Sequence, residues 1–573
     1  MPLSKKHPHA VPSSSSLPSD STLRRPSAVA SHNRRGFLRT FGLIAAAGTT
    51  SVPALAKQPS SQNSSSRKKR GLYGLRRSAA RARRFRAALN QSRSPDPQNT
   101  SNRDESTLDR FIGNFSKGLP HNAFGEVDPA AYGSLLRALP GRDPAAWEAI
   151  PLAGSRKLAN PQASLAYCLT GGDSHASGMP APPTFRSEEE AAEMAEVYLH
   201  AILRDVPFDE YAGSSDASFA AAELNTFSDF RGPKDGGAVT PQTLFRGSFD
   251  GDLAGNYLSQ FLLLDVPQGA AVLPQKYQTT VPGDDFMLNQ AEWLSILEGH
   301  APAVGNSYRP APRYITTARD LGEYVHRDYT YQTYLQAALI LLGLNAPLNI
   351  NNPYEGSATQ GGFVTFGAAE ILALLAEASL NGLKAAWYHK WQVHRRVRPE
   401  VFAGRVHFVK TGAKAYPVNP ELLNSAVLDE VAARFGGGYW LPMAYPEGSP
   451  THPAYPAGHA VVAGACITIL KALFDQTAEI IDPVEVVPGS GGNALQNYTG
   501  GDTLTVGGEL NKLANNIAIG RNLAGVHWRT DGTEGILLGE DVAVRMLQDY
   551  KLTYYEKYID FSFTGFGGNT IVI

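Results

Sequence analysis

From about Leu108 onward the chain alternates between stretches of helical periodicity and loops rich in proline and glycine. Ser187-Glu188-Glu189-Glu190 has the form of a capping box and opens a helix running to about Arg204. Residues 316–344 carry one long helical pattern that ends at Gly343-Leu344. A third pattern runs from about Phe366 to Arg398, where Pro399, lacking an N–H, stops it. From Gly458 to Phe474 the residues are small and apolar nearly all round (Val461, Val462, Ala463, Ala465, Ile467, Ile469, Leu470), as in a helix buried on every side. Residues 508–522 and 534–549 supply two more helices, and strand-like alternation is clearest at the very end, Thr570 to Ile573. The expectation is an all-α fold, a large helical bundle with few short strands. No repeat or second linker divides residues 108–573, which read as one domain.

Composition sharpens this. The 573 residues carry 52 Lys+Arg against 53 Asp+Glu, but the charges are segregated. Residues 1–86 hold 18 basic residues and one acid, Asp20, leaving 34 basic and 52 acidic residues in the rest. So negative a body argues against nonspecific nucleic-acid binding, which needs a positive face. A hydrophobic content of 43% excludes general disorder, and no apolar run approaches the roughly 18–20 residues of a membrane span. The two cysteines, Cys168 and Cys466, cannot build a disulfide framework or a cysteine-rich zinc site, and Cys466 reads as a buried thiol in the apolar helix.

The basic leader has internal order. Asn33-Arg34-Arg35-Gly36-Phe37-Leu38-Arg39 is a twin-arginine pattern, followed by the short apolar stretch Phe41–Ala47 and a small-x-small site at Ala54-Leu55-Ala56. That order is that of a removable export signal over residues 1–56, placing the mature protein in the periplasm or outside the cell. Residues 57–107 are Ser-, Asn- and Arg-rich, with ten basic residues and no acid between Arg67 and Arg86. They read as a solvated tail or as an arm that meets the acidic body of a neighbouring subunit.

Three short motifs carry candidate chemistry. In Lys390-Trp391-Gln392-Val393-His394-Arg395-Arg396-Val397-Arg398-Pro399, Lys390, His394 and Arg398 are four apart and drift only about 40° per step around a helix. Two cations on such a face suit an oxyanion, though a solvated basic face has the same pattern. In His452-Pro453-Ala454-Tyr455-Pro456-Ala457-Gly458-His459, proline and glycine force a loop into the N-terminus of the apolar helix, where N–H groups favour an anion. In Arg521-Asn522-Leu523-Ala524-Gly525-Val526-His527-Trp528-Arg529-Thr530-Asp531, Arg521 and His527 can meet one ligand only if the helix ends between them, and Gly525 is where it could. Asp531 either fixes the His527 tautomer or caps a helix starting at Gly532. Together the motifs describe a site for a tetrahedral oxyanion with a histidine able to attack or ligate its central atom.

The order Lys-x7-Arg-Pro, Gly-His, Arg-x5-His-x3-Asp resembles the superfamily of vanadium-dependent haloperoxidases and type-2 phosphatidic acid phosphatases. The longer stretches Phe111 to Asn122, Leu203 to Phe208, Tyr257 to Phe261 and Glu447 to Pro453 are similar to vanadium bromoperoxidases of the red-algal and cyanobacterial kind. The resemblance spans residues 75–550 and implies a vanadate cofactor held at +5, with His527 as its apical ligand. It implies that Lys390, Arg398 and Arg521 neutralise the vanadate oxygens and that Gly458 donates its backbone N–H. His459 would be the acid–base group, and Lys390 would also polarise peroxide toward halide. The implied partners are hydrogen peroxide, halide and a small organic acceptor, with no nucleic acid and no membrane insertion. His452 occupies a position where chloroperoxidases of the family carry an aromatic hydrocarbon, which implies bromide and iodide rather than chloride. Trp387 and His389 would line the halide approach, with core packing as the equal alternative for Trp387.

This chain departs from the family in having Ala457 where serine usually precedes Gly-His. One fewer hydrogen bond to the oxyanion costs about 1.5–3 kcal/mol when the partner is charged. Some relatives hold calcium before the Lys390 helix, but here residues Asn351 to Phe363 offer a single carboxylate, Glu355, a poor donor set. Homo-oligomers, dimers or dodecamers, are implied too. An acid phosphatase on the same scaffold, with His527 as nucleophile, and an oxyanion-binding protein without turnover are the alternative functions.

Overall fold

The computed structural model describes residues 64–557 and 559–573. In chain order, the helices that position the site are α1 (Ser64–Arg93), α2 (Glu188–Ile202), α3 (Ala318–Arg327), α4 (Gln332–Gly343), α5 (Ala368–Tyr388), α6 (Pro399–Lys410), α7 (Gly458–Leu473), α8 (Val506–Leu523) and α9 (Arg529–Lys551). The all-α expectation holds. Strands occur as antiparallel hairpins, β1 (Val266–Gln268) with β2 (Ala271–Leu273), β3 (Val484–Val486) with β4 (Leu495–Asn497), and β5 (Ser562–Thr564) with β6 (Thr570–Val572). The last is the strand expected at the C-terminus.

Helix α7 is the axis, packed against α5, α8 and α9. Val461, Val462, Ile467, Ile469 and Leu470 are 0–1% exposed, and burying each such side chain contributes about 1.5–3 kcal/mol. Two glycines bring α7 and α9 into backbone contact. A Cβ on Gly464 would lie 1.9 Å from the Ile536 carbonyl oxygen, and one on Gly539 would lie 2.1 Å from that of Val461. Among the described residues no helix is long and apolar enough to cross a membrane.

The structure corrects two long helices. The pattern over 316–344 is two helices, because Asp328 turns extended (φ −65, ψ 149) and only Tyr331 caps the next one. The pattern over 366–398 is α5, then a π-helical stretch at His389–His394, then a left-handed Arg395 (φ 45, ψ 39). Arg398 is the extended N-cap of α6 and Pro399 its first residue, so this proline opens a helix rather than stopping one. At Ser187 only half of the capping box forms. The Ser187 hydroxyl accepts from Glu190 N–H, while the Glu190 carboxylate pairs with Arg396.

The compact body begins before residue 108, at Leu75. Gln91 donates to Asp549 at 2.7 Å, Asp104 is buried and accepts from Phe185 N–H at 3.0 Å, and Glu105 pairs with Arg395 at 2.6 Å. These contacts tie the end of the supposed 57–107 tail to the body, and its described part carries a helix. The twin-arginine leader lies outside the described residues. Both cysteines are free, and Cys466 is fully buried.

Candidate active site

The widened turn after α5 lets Lys390 point inward. Its ammonium donates to the carbonyls of Pro453 and Ala454, both at 2.7 Å, leaving one of three N–H donors free. Arg398, fully buried, donates to the His452 carbonyl at 2.8 and 3.0 Å and to the Val526 carbonyl at 2.6 Å. Lys390 and Arg398 therefore converge from two elements rather than from one helix face. His394, expected between them, is not part of the cluster. It stacks on His389 with centroids 5.5 Å apart, and neither of its ring nitrogens has a partner.

Helix α8 ends at Leu523 and Gly525 takes φ +87, so the chain reverses between Arg521 and His527 as the spacing requires. Arg521 donates to the Val325 carbonyl at 2.8 Å, lies over the Tyr445 ring at 5.4 Å, and keeps a buried Nε with no partner. His527 is 2% exposed. Its Nδ1 lies 2.6 Å from Asp531 Oδ2 and its Nε2 lies 3.0 Å from Arg398 Nη1. A carboxylate on one side and a guanidinium on the other fix the tautomer, with the proton on Nδ1 and the lone pair on Nε2. Asp531 also accepts from Trp528 N–H at 3.2 Å, as the third residue of α9. It thus fixes the His527 tautomer as expected but is not the N-cap: the helix starts at Arg529 after the N-cap Trp528, and Asp531 reaches back to the Trp528 N–H from its third position.

The remaining wall is the N-terminus of α7. Its N-cap is Ala457, which has no side-chain oxygen to accept from the first-turn N–H groups. Gly458 N–H belongs to that turn, and a Cβ there would sit 3.4 Å from Leu383 Cδ2 and Trp387 Cζ3. The His452 ring lies 4.8 Å from Trp387 and its Nδ1 3.0 Å from Arg398 Nη2. His459 holds Asp328 Oδ1 at 3.0 Å through Nε2. His389, in contrast, is fully buried with Nε2 on the Ser177 carbonyl at 2.9 Å, and lines no approach.

Elsewhere the buried arginines 204, 313, 319, 396 and 529 each meet a carboxylate, while Arg405 donates to the Phe124 and Gly125 carbonyls. Lys390, Arg398 and Arg521 meet carbonyls, imidazole and phenol oxygen instead. Burial and the neighbouring Arg398 and Arg521 push the Lys390 ammonium well below its ordinary range. Burial, then Arg398 and Lys390, push His527 down likewise. Three inward cations without a carboxylate, beside an imidazole lone pair, make a buried cluster of positive charge that is short of an anion.

Comparison with known proteins agrees with that chemistry. The sequence model of the VCPO second helical-bundle domain matches residues 370–555, which contain Lys390, Arg398, Gly458, His459, Arg521, His527 and Asp531. Vanadium-dependent bromoperoxidases of Corallina pilulifera and Corallina officinalis are each 36% identical over 566 residues, 84% of this chain and 93% of theirs. That of Ascophyllum nodosum is 36% identical over 480 residues, covering 80% of this chain and 86% of its own. This chain belongs to the vanadium-dependent bromoperoxidase family. The homohexameric second vanadate-dependent bromoperoxidase of Ascophyllum nodosum superposes with a TM-score of 0.82 at 30% identity, covering 92% of this chain and 94% of that one.

The residues fit vanadate. The unpartnered Arg521 Nε, the spare Lys390 N–H and the open turn at Gly458 are donors, and His527 Nε2 offers the lone pair. Among the described residues no group of three or more His, Cys, Asp or Glu is arranged to hold a metal ion. Sequence reasoning missed Asp328, Tyr445 and the Arg396 cluster behind Asp531. The Arg395-Arg396 doublet was the only visible sign of the last.

Proposed function

We propose that this chain is a vanadate-dependent haloperoxidase that uses hydrogen peroxide to oxidise bromide and iodide to hypohalous acid, which halogenates small organic acceptors. The observation that carries the reading is the His527 Nε2 lone pair set among three buried cations that meet no carboxylate. Vanadate, when bound, supplies the centre at which peroxide becomes electrophilic. Lys390, Arg398 and Arg521 neutralise charge on the oxyanion and on the oxygen that leaves, in a site preorganised by buried carbonyls. His459, turned by Asp328 and partly open to solvent, takes and returns the proton of the incoming peroxide. His452 against Trp387 gives the halide a polar, half-buried approach suited to bromide.

Bromination of a diketone reporter by the mature protein, with and without orthovanadate, tests this alongside phosphate-ester hydrolysis. Vanadate-dependent bromination that disappears in His527→Ala is expected. Ester hydrolysis without bromination would favour the phosphatase, and silence in both assays the oxyanion-binding protein.

The reading extends to export by the twin-arginine route, with residues 1–56 removed, and to a homo-oligomer in which the basic arm meets the acidic body of a neighbouring copy. Arg76, Arg77, Arg81, Arg83, Arg84 and Arg86 are exposed on α1, a helix with no acidic residue. The homohexameric relative supports assembly of copies. Light scattering on chains starting at Lys57 and at Ser94 distinguishes the cases. A smaller assembly for the shorter chain is expected, and an unchanged one removes the arm from the interface.

A further inference from the structure

Behind the His527–Asp531 pair lies a layer of buried charge that the proposed chemistry does not use. The two oxygens of Asp531 have different partners. Oδ2 faces His527 Nδ1 at 2.6 Å, while Oδ1 accepts from Arg396 Nη1 at 2.9 Å. Arg396 is 2% exposed and lies over the Trp528 ring at 4.8 Å. Its Nη1 also donates to Thr530 Oγ1 at 2.8 Å, and its Nη2 donates to Glu193 at 2.7 Å and to Glu190. Glu193 in turn accepts the Thr530 N–H at 2.6 Å and the Thr530 hydroxyl at 3.1 Å. One guanidinium thus ties α2, the first turn of α9 and the segment after the π turn together.

This arrangement has an electrostatic consequence. A guanidinium paired with Asp531 alone would draw negative charge onto Oδ1 and weaken the hydrogen bond that Oδ2 accepts from His527 Nδ1–H. A weaker bond there makes Nε2 a poorer ligand. Glu193 occupies the other edge of the guanidinium and shares its charge in a dry interior, where such sharing is poorly screened.

We infer that Arg396 and Glu193 are positioning residues for the vanadate ligand: by sharing Arg396, Glu193 sets how strongly Asp531 polarises His527, and so how tightly His527 holds vanadate. This rests on the vanadate reading of the site. Nothing in the arrangement touches the substrate, so its effect reaches the cofactor only through Asp531 and His527.

Equilibrium dialysis of the full mature chain against orthovanadate, with bound vanadium counted, gives the readout without turnover. Glu193→Gln is expected to raise the vanadate Kd by about tenfold or more. In an Asp531→Asn background the same substitution should change Kd less than twofold, because the relay is already cut. The vanadium NMR shift of the bound cofactor should move in Glu193→Gln and stay put in the second comparison. Equal losses in both backgrounds would mean that Glu193 serves only the fold, and would overturn the inference. Should Glu193→Gln not fold, the near-isosteric Thr530→Val removes one acceptor from Arg396 and leaves Asp531 more of its charge. It should then raise Kd severalfold, and an unchanged Kd overturns the inference equally. Wild-type protein that takes up no vanadate would sink the vanadate reading itself, an outcome distinct from tight binding that ignores Glu193.

Discussion

His459 Nε2 lies 3.0 Å from Asp328 Oδ1, joining the first turn of α7 to the gap between α3 and α4. The Asp328 side chain is 5% exposed and that of His459 is 31% exposed, so the carboxylate is fixed while the ring reaches toward solvent. A carboxylate behind an imidazole sets which nitrogen is free and where it points. Asp328→Asn keeps the shape and removes the charge. Steady-state kinetics of bromide oxidation should show kcat lowered roughly 10–100-fold, the usual cost of a misdirected group, with vanadate uptake retained. An unchanged kcat would remove Asp328 from the reaction.

That pair marks the boundary of what the sequence makes legible. Lys390, Arg398-Pro399, Gly458-His459, Arg521 and His527 are readable because glycine, proline and spacing constrain the backbone next to each charged group. Gly525 at φ +87 is where the Arg521–His527 spacing demanded a reversal. Asp328 is not readable, because helical periodicity runs through 316–344, while its extended backbone and its contact with His459 appear only in the tertiary structure. The same holds at His389–Arg395. A π turn and a non-glycine left-handed residue leave no periodic trace, so His394 looks like a neighbour of Lys390 and is instead buried against His389. The Glu190 carboxylate likewise leaves its local capping role for Arg396, a partner 206 residues away.

Ala457 offers a second measurement. It is the fully buried N-cap of α7, and nothing caps the first turn. Serine at an N-cap accepts from the second or third N–H and stabilises a helix by about 1 kcal/mol over alanine. Ala457→Ser should raise the melting temperature of the vanadate-free protein. Its hydroxyl is then shared between helix and oxyanion, so the tightening of vanadate should stay below about tenfold, less than a full charged hydrogen bond would give. Calorimetry and dialysis on one sample separate the two effects, and a lower melting temperature would contradict the first.

The α7–α9 crossing should tolerate no added carbon. Gly464→Ala places a methyl 1.9 Å from the Ile536 carbonyl oxygen, and Gly539→Ala places one 2.1 Å from that of Val461. The neighbours are backbone, not flexible side chains, so relief requires the helices to separate. Each change should cost about 1–3 kcal/mol or more, seen as a lower urea midpoint. Because α7 and α9 present Gly458 and Asp531 to the site, vanadate should weaken as well. Full stability in either variant would show that the helices do not approach as closely as this.

His389 makes stability depend on pH in a direction that can be worked out. Burial pushes its imidazole down to about 4 from 6.5, with only the Ser177 carbonyl opposing. Between those values the unfolded chain takes a proton that the folded chain refuses, so stability falls as the pH drops from about 6.5. The loss is complete below about pH 4, once both states are protonated, and amounts to about 3 kcal/mol. His389→Gln removes this contribution while costing some packing at neutral pH. Urea unfolding of both proteins across this range should therefore show the wild-type advantage at pH 7 shrinking by about 3 kcal/mol toward pH 4. His394, pushed down by burial and next by His389 itself, is stacked on that ring, so the difference between the two proteins reports the His389–His394 pair rather than His389 alone. A difference that does not change with pH would mean that His389 is protonated in the folded state and that its ring is not sealed from water.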